Sequence, residues 1–178
     1  MKINEEIFTL FKRATEALEI IAKNKDFKII IGKENGYIWN PEILKLTPIK
    51  NVNYIKIDLL KGIDQTKSIL LKNTEQFAKG FTANNVLLWG ARGMGKSSLV
   101  KAVHNELIHV KKNKRLILVE INREDINTMP ILIKKLSEIN YNFIIFCDDL
   151  SFDDSDNNYK SLKTILDGGI SEKPSNII

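Results

Sequence analysis

The chain has 178 residues, 43% hydrophobic and 28% charged, with 4 Pro and 9 Gly. That is enough for one domain with a sizeable core, and the mixture excludes a disordered, collagen-like or disulfide-stapled protein. The net charge of +5 does not mark a nucleic-acid domain: residues 1–83 carry 14 basic and 10 acidic side chains, and residues 84–178 carry 13 and 12.

Only Arg13, Arg92, Arg115 and Arg123 of the 27 cationic residues are Arg, while Lys, Ile and Asn abound. A coding bias toward adenine and thymine explains this better than selection for phosphate, so nucleic acid is a weakly supported partner. Cys147 is the single cysteine, which excludes an internal disulfide and makes a reducing, cytoplasmic setting the expectation. No apolar run approaches the ~18 residues of a spanning helix, so no membrane is expected. The start, Met1-Lys2-Ile3-Asn4-Glu5-Glu6, turns acidic where an export signal would turn apolar.

In chain order, Ile7, Phe11, Ala14, Leu18 and Ile21 recur at spacings of four and three, predicting an amphipathic helix from Glu5 to about Lys23. Packing on the rest of the domain is the plainer use of that stripe, and partner binding the alternative. Phe27 to Ile31 and Tyr37 to Trp39 flank Gly32-Lys33-Glu34-Asn35-Gly36 and read as a hairpin. Asn40-Pro41 and Thr47-Pro48 punctuate a linker-like stretch, placing a boundary between an accessory region, 1–52, and a main domain, 53–178.

The main domain alternates. A helix is expected from Asp64 to Lys79, stopped by Gly80, then a buried strand from Asn85 to Trp89 and a helix from about Lys96 to Val110. A strand from Arg115 to Ile121, a helix from Asp125 to Ile139 with Pro130 early in it, and an apolar strand from Phe143 to Cys147 follow. A helix from Tyr159 to Leu166 ends at Gly168-Gly169. Strands separated by helices imply an α/β fold, a parallel sheet with helices on both faces.

Gly90-Ala91-Arg92-Gly93-Met94-Gly95-Lys96-Ser97 fits the phosphate-loop pattern G-x-x-x-x-G-K-[ST] at every fixed position. Glycines let successive N–H groups turn inward onto phosphate oxygens, and the following helix adds its N-terminal N–H groups and positive dipole end. Lys96 is expected at the β- and γ-phosphates, and the Ser97 hydroxyl on Mg²⁺, with Ser98 completing the binding segment. The pattern follows the apolar run Val86-Leu87-Leu88-Trp89 and opens a helix with Leu99, Val103 and Leu107 on one face.

Phe143 to Phe146 leads into Asp148 and Asp149, and ligands of α/β sheets sit at carboxyl strand ends. Asp148 is expected to hold Mg²⁺, and Asp149 resembles in its place the carboxylate, usually Glu, with which P-loop ATPases of the additional-strand class orient attacking water. Weaker candidates fall away. Asp154, Asp156 and Asn158 start a calcium-loop spacing, but Tyr159 and Ile165 occupy the positions that need Gly and Glu. His104 and His109 lie about 140° apart around a helix, poorly placed to share a metal. The run Lys111-Lys112-Asn113-Lys114-Arg115 suits a solvated helix end, with nucleic acid or an acidic partner as the alternative. Cys147 reads as a small core residue.

Leu60-Lys61-Gly62-Ile63-Asp64-Gln65, Asn73-Thr74-Glu75-Gln76-Phe77, Asn84 to Gly93, Ser97 to Ala102 and Phe146 to Phe152 together resemble bacterial AAA+-type predicted ATPases, a domain of unknown function numbered 815. Tyr159-Lys160 to Leu162-Lys163 and Gly168-Gly169 continue the likeness, which runs from about Leu59 to Ile178. It implies ATP and Mg²⁺ as cofactors, an AAA+ core, and Gly62-Ile63 bordering the adenine. It also implies a further strand between the phosphate-loop strand and the Asp148 strand, then a sensor residue, an arginine finger and a lid. That strand should begin at Asn176-Ile177-Ile178, so the core is expected to be incomplete at its C-terminus. The leading expectation is an ATPase that couples hydrolysis to a shape change in an assembly of subunits with an unknown client. A helicase-loader-like, nucleotide-controlled binding module is the alternative. A small-molecule kinase is disfavoured by the Asp148-Asp149 pair and the long N-terminal extension.

Overall fold

A computed structural model describes residues 5–23, 28–113, 115–150 and 174–178. Its strands are β1 (Gly36–Asn40), β2 (Lys45–Pro48), β3 (Leu116–Glu120) and β4 (Asn142–Phe146), arranged β2-β1-β3-β4 in one sheet. β1 pairs antiparallel with β2, whereas β1–β3 and β3–β4 are parallel. Parallel neighbours need long crossovers. Helices α2 (Asp64–Ala78) and α3 (Lys96–Asn105) lie in the crossover from the β1–β2 hairpin to β3, and α4 (Met129–Ser137) lies between β3 and β4. Helix α1 (Glu5–Lys23) precedes them.

The inner strands are apolar at consecutive positions because both faces are covered. Ile117 and Val119 of β3 and Phe143 and Ile145 of β4 join Tyr37, Trp39 and the α4 residues Met129, Leu132 and Leu136. The intervening Leu116 and Ile144 join Leu70 and Phe77 of α2 and Leu99, Ala102 and Val103 of α3. Leu99, Val103 and Leu107 are each buried, as their spacing predicts. α3 runs into a π-helical turn, Glu106–Val110, so the expected helix of 96–110 is present with a looser last turn. Gly80, at φ +86°, follows the end of α2, and a short 3-10 turn, Arg123–Thr128, leads into α4 with Pro130 in its first turn.

Four sequence expectations change. The hairpin joins β1 to β2, not Phe27–Ile31 to Tyr37–Trp39; residues 28–31 form no strand. The turn is Pro41-Glu42-Ile43-Leu44, where the Asn40 Oδ1 accepts the Glu42 and Ile43 N–H groups and Leu44 takes φ +51°. Asn40-Pro41 is thus a hairpin turn rather than linker punctuation, and β1 and β2 enter the same sheet as β3 and β4.

Asn85–Trp89 is not a buried strand. It enters no strand pairing among the described residues, and Leu87 and Trp89 are 65% and 89% exposed. A strand needs a ladder partner. The side of β4 away from β3 meets Asn176–Ile178, the start of the further strand the likeness implied, through Phe143 N–H to the Asn176 carbonyl, Ile178 N–H to the Phe143 carbonyl and Ile145 N–H to the Ile178 carbonyl. Leu88 alone of the apolar run 86–89 is partly buried, against the α2–α3 cluster that Ile178 also joins.

The helical stripe at the start does not pack on the domain along residues 7–16, all of which are exposed, Ile7, Phe11 and Ala14 included. The helix expected at Tyr159–Leu166, the Gly168-Gly169 stop and the Asp154–Asn158 spacing lie outside the described residues, as does Phe27.

Candidate functional site

The glycine loop leads into α3 through backbone that only glycine adopts without strain. Gly90, Gly93 and Gly95 have φ of 138°, 84° and 78°. Space is not the constraint at Gly90 and Gly93, where an added Cβ would meet nothing within 4 Å. Gly95 is the residue before α3, and its carbonyl accepts the Leu99 N–H at 2.8 Å. Lys96 then curls over the loop, its Nζ donating to the Gly90 and Ala91 carbonyls at 2.9 Å each. Ala91, Arg92 and Met94 are exposed on the outside, and Ser98 is half-buried.

Ser97 Oγ donates to Asp148 Oδ1 at 2.7 Å, across 51 residues of chain. Strand parity explains the meeting. Ile144 faces the α2–α3 side, and two further steps of two lead to Phe146 and then to Asp148 just past the strand end. The Asp149 N–H also donates to Asp148 Oδ1, at 3.0 Å, while Asp149 itself turns at φ +50° and is exposed. The structure therefore joins Ser97 to Asp148 directly and leaves Asp149 beside them on the rim.

Leu60, two residues before Gly62, approaches the loop. A Cβ on Gly95 would lie 3.6 Å from Leu60 Cδ2, and Leu60 and Ile63 belong to the cluster beneath α3. Gly62 has φ +77°, and Ile63 is the residue before α2.

The other titratable groups have structural explanations. Cys147 is pushed up to about 11, first by burial and then by the Asp148 charge, so it stays a protonated thiol and no nucleophile. His104 is buried, with Nε2 3.2 Å from the Leu116 carbonyl, and burial pushes it down to about 4. Among the described residues no cluster of three His, Cys, Asp or Glu could hold a metal ion. Two members of the basic run have partners within the chain: Lys111 pairs with Glu75 at 2.6 Å, and Arg115 donates to the Asn140 carbonyl at 3.0 Å. Hydrogen bonds from Lys111 and Lys79 hold the Glu75 carboxyl below its usual range.

Two residues near the site escape a motif reading. Lys101, one turn after Ser97, has its Nζ 3.9 Å from Glu120 Oε2 and 5.7 Å from the Phe146 ring centroid. The available signals were the four-residue spacing from Ser97 and the position of Glu120 at the carboxyl end of an apolar strand.

The sheet and its flanking helices define a mixed α/β protein. Residues 33–178 match the family described as "Protein of unknown function (DUF815)", and the chain belongs to that family. No curated protein and no solved structure shows a significant match. Among the described residues no helix is long and apolar enough to cross a membrane.

Proposed function

We propose that the chain is a P-loop NTPase of the AAA+ type that binds Mg-ATP at Gly90–Ser98 and couples its hydrolysis to a shape change in an assembly. The observation that carries this reading is the 2.7 Å contact between Ser97 Oγ and Asp148 Oδ1. A hydroxyl and a carboxylate, 51 residues apart, converge beside a glycine loop and a helix N-terminus. Oxygen donors of this kind suit Mg²⁺, which prefers few protein ligands together with phosphate oxygens. When bound, Mg²⁺ supplies charge neutralisation to the β- and γ-phosphate oxygens.

The remaining roles fall to the chain itself. The loop N–H groups and the first turn of α3 hold the phosphates. Lys96 exchanges the Gly90 and Ala91 carbonyls for phosphate oxygens, a trade of dipoles for full negative charge that favours the bound state. Asp149, on the exposed rim, orients the attacking water. Leu60, Gly62 and Ile63 border the base.

Calorimetric titration with Mg-ATP tests the assignment: wild type binds and Lys96→Ala shows no measurable heat. Equal affinity in the two would overturn it. Asp149→Asn keeps the size and removes the charge, so Mg-ATP still binds while turnover falls at least ~10²-fold, as for a lost general base. Undiminished turnover would assign the water to another group. The exposed apolar residues Ile7, Phe8, Leu10 and Phe11 of α1 favour a second reading, in which ATP controls a binding event and turnover is incidental. A wild-type steady-state rate no higher than that of Asp149→Asn, with Mg-ATP binding intact, would select it.

A further inference from the structure

Ser97 and Asp148 can share a cation only while α3 keeps its height against the ends of β3 and β4. The core contacts of α3 are apolar apart from the buried His104, whose Nε2 lies 3.2 Å from the Leu116 carbonyl at the start of β3. Apolar surfaces have no directional preference, so they fix depth better than sliding. Lys101 supplies direction at the other end, the carboxyl ends of β3 and β4. It lies four residues after Ser97, on the same side of α3. Its ammonium stands between Glu120, the last residue of β3, and Phe146, the last residue of β4, at 3.9 Å from the one carboxylate and 5.7 Å from the other ring's centroid.

Glu120 and Phe146 are themselves register partners, so one lysine touches the closing pair of the β3–β4 ladder. Asp148 is two residues beyond Phe146, and Ser97 is one helical turn before Lys101. The Lys101 contacts and the Ser97–Asp148 contact are thus two successive rungs between the same helix and the same strand end. All of these groups are half-buried apart from the buried Phe146, where screening is weaker than on an open surface.

We propose that Lys101, held by Glu120 and Phe146, is a positioning residue that sets the Ser97–Asp148 spacing and so tunes the affinity of the site for Mg²⁺ rather than for the nucleotide. This deepens the Mg-ATP reading and rests on it. Lys101 touches neither phosphate nor metal in this scheme, because its ammonium faces Glu120 and the Phe146 ring.

The test uses the full chain and three variants, Lys101→Met, Lys101→Arg and Glu120→Gln, with Lys96→Ala as the control for the nucleotide site. Two quantities are read: ATP affinity in EDTA, and the Mg²⁺ concentration giving half-maximal tightening of ATP binding. Lys101→Met and Glu120→Gln should each raise the Mg²⁺ midpoint about three- to fivefold, the size expected from losing one partly exposed pair, and leave the EDTA affinity unchanged. Lys101→Arg, which keeps the cation and stacks on an aromatic face, should stay near wild type. A merely structural lysine would lower the melting temperature without moving the Mg²⁺ midpoint, and that outcome overturns the proposal. Equal loss of EDTA affinity and Mg²⁺ response also overturns it, by placing Lys101 on the nucleotide. Should Lys101→Met fail to fold, Glu120→Gln, whose side chain is a third exposed, decides alone. If Lys96→Ala binds ATP like wild type, the Mg-ATP reading itself fails. An unmoved Mg²⁺ midpoint with Lys96→Ala inactive sinks only the role of Lys101.

Discussion

A histidine shut into apolar surroundings makes stability depend on pH, and His104 is such a residue. Burial pushes it from 6.5 to about 4, outweighing the opposing hydrogen bond to the Leu116 carbonyl. The folded value lies below that of the unfolded chain, so the unfolded chain takes up the proton first as pH falls. The contribution of His104 is therefore complete above about 6.5 and is lost progressively down to about 4. The shift corresponds to something on the order of 3 kcal/mol, most of it gone by pH 5. Urea unfolding at pH 7 and pH 5 should show this loss in wild type, and His104→Gln, which keeps a donor for Leu116 but cannot titrate, should show a flatter dependence. Identical pH slopes would mean that His104 is solvated. At the same scale, Lys96 sits among carbonyl dipoles at 2.9 Å, so an arriving phosphate competes with weak acceptors that it readily displaces.

Helices α1 and α3 are both amphipathic, yet they are used differently. In α3 the apolar face holds Leu99, Ala102 and Val103 in the core beside β3, and the opposite requirement, a polar N-terminus, falls at Lys96 and Ser97. Truncating Leu99 to Ala removes buried volume at a site only 1% exposed and should cost about 2–5 kcal/mol. In α1, Phe8 and Phe11 are 66% and 70% exposed. Replacing both by Ser should change stability by no more than about 0.5 kcal/mol each, as for other exposed positions. Thermal unfolding of Leu99→Ala against the Phe8→Ser, Phe11→Ser pair measures the contrast directly. A large loss in the double variant would show that α1 packs on the domain after all. α2, by contrast, is anchored at its end by side chains from elsewhere: Asn142 donates to the Phe77 carbonyl and Asn113 to the Ala78 carbonyl, satisfying groups the helix leaves open.

Across the whole molecule, the sheet brings distant stretches to one edge. β3 and β4 run parallel, so both carboxyl ends, with Glu120 on one and Asp148 just past the other, lie on the side where α3 begins. Asn176 braces the far side: its Nδ2 lies 3.1 Å from each of the Leu136, Ile139 and Tyr141 carbonyls at the end of α4, while residues 176–178 extend the ladder beyond β4. β1 contributes Tyr37 and Trp39 to the α4 side, Trp39 Nε1 donating to Thr128 Oγ1 at 2.8 Å. The hairpin thus supports the face opposite the glycine loop.

What the sequence determined alone was whatever depends on near neighbours. The periodicity of Leu99, Val103 and Leu107, the apolar runs that became β3 and β4, the stop at Gly80 and the glycine spacing of 90–95 are all local, because backbone conformation and helical faces repeat within a few residues. Pairing is not local. Asn85–Trp89 has the apolar, β-prone character of a strand, but a strand exists only where another offers its N–H and C=O groups, and among the described residues none pairs with it. The same holds for the hairpin, where β1 found its partner across Pro41–Leu44 once Asn40 capped the turn. Tertiary structure alone decided that Ser97 meets Asp148 and that Lys101 stands between Glu120 and Phe146, since those distances depend on how a helix seats on a sheet and not on the order of residues along either.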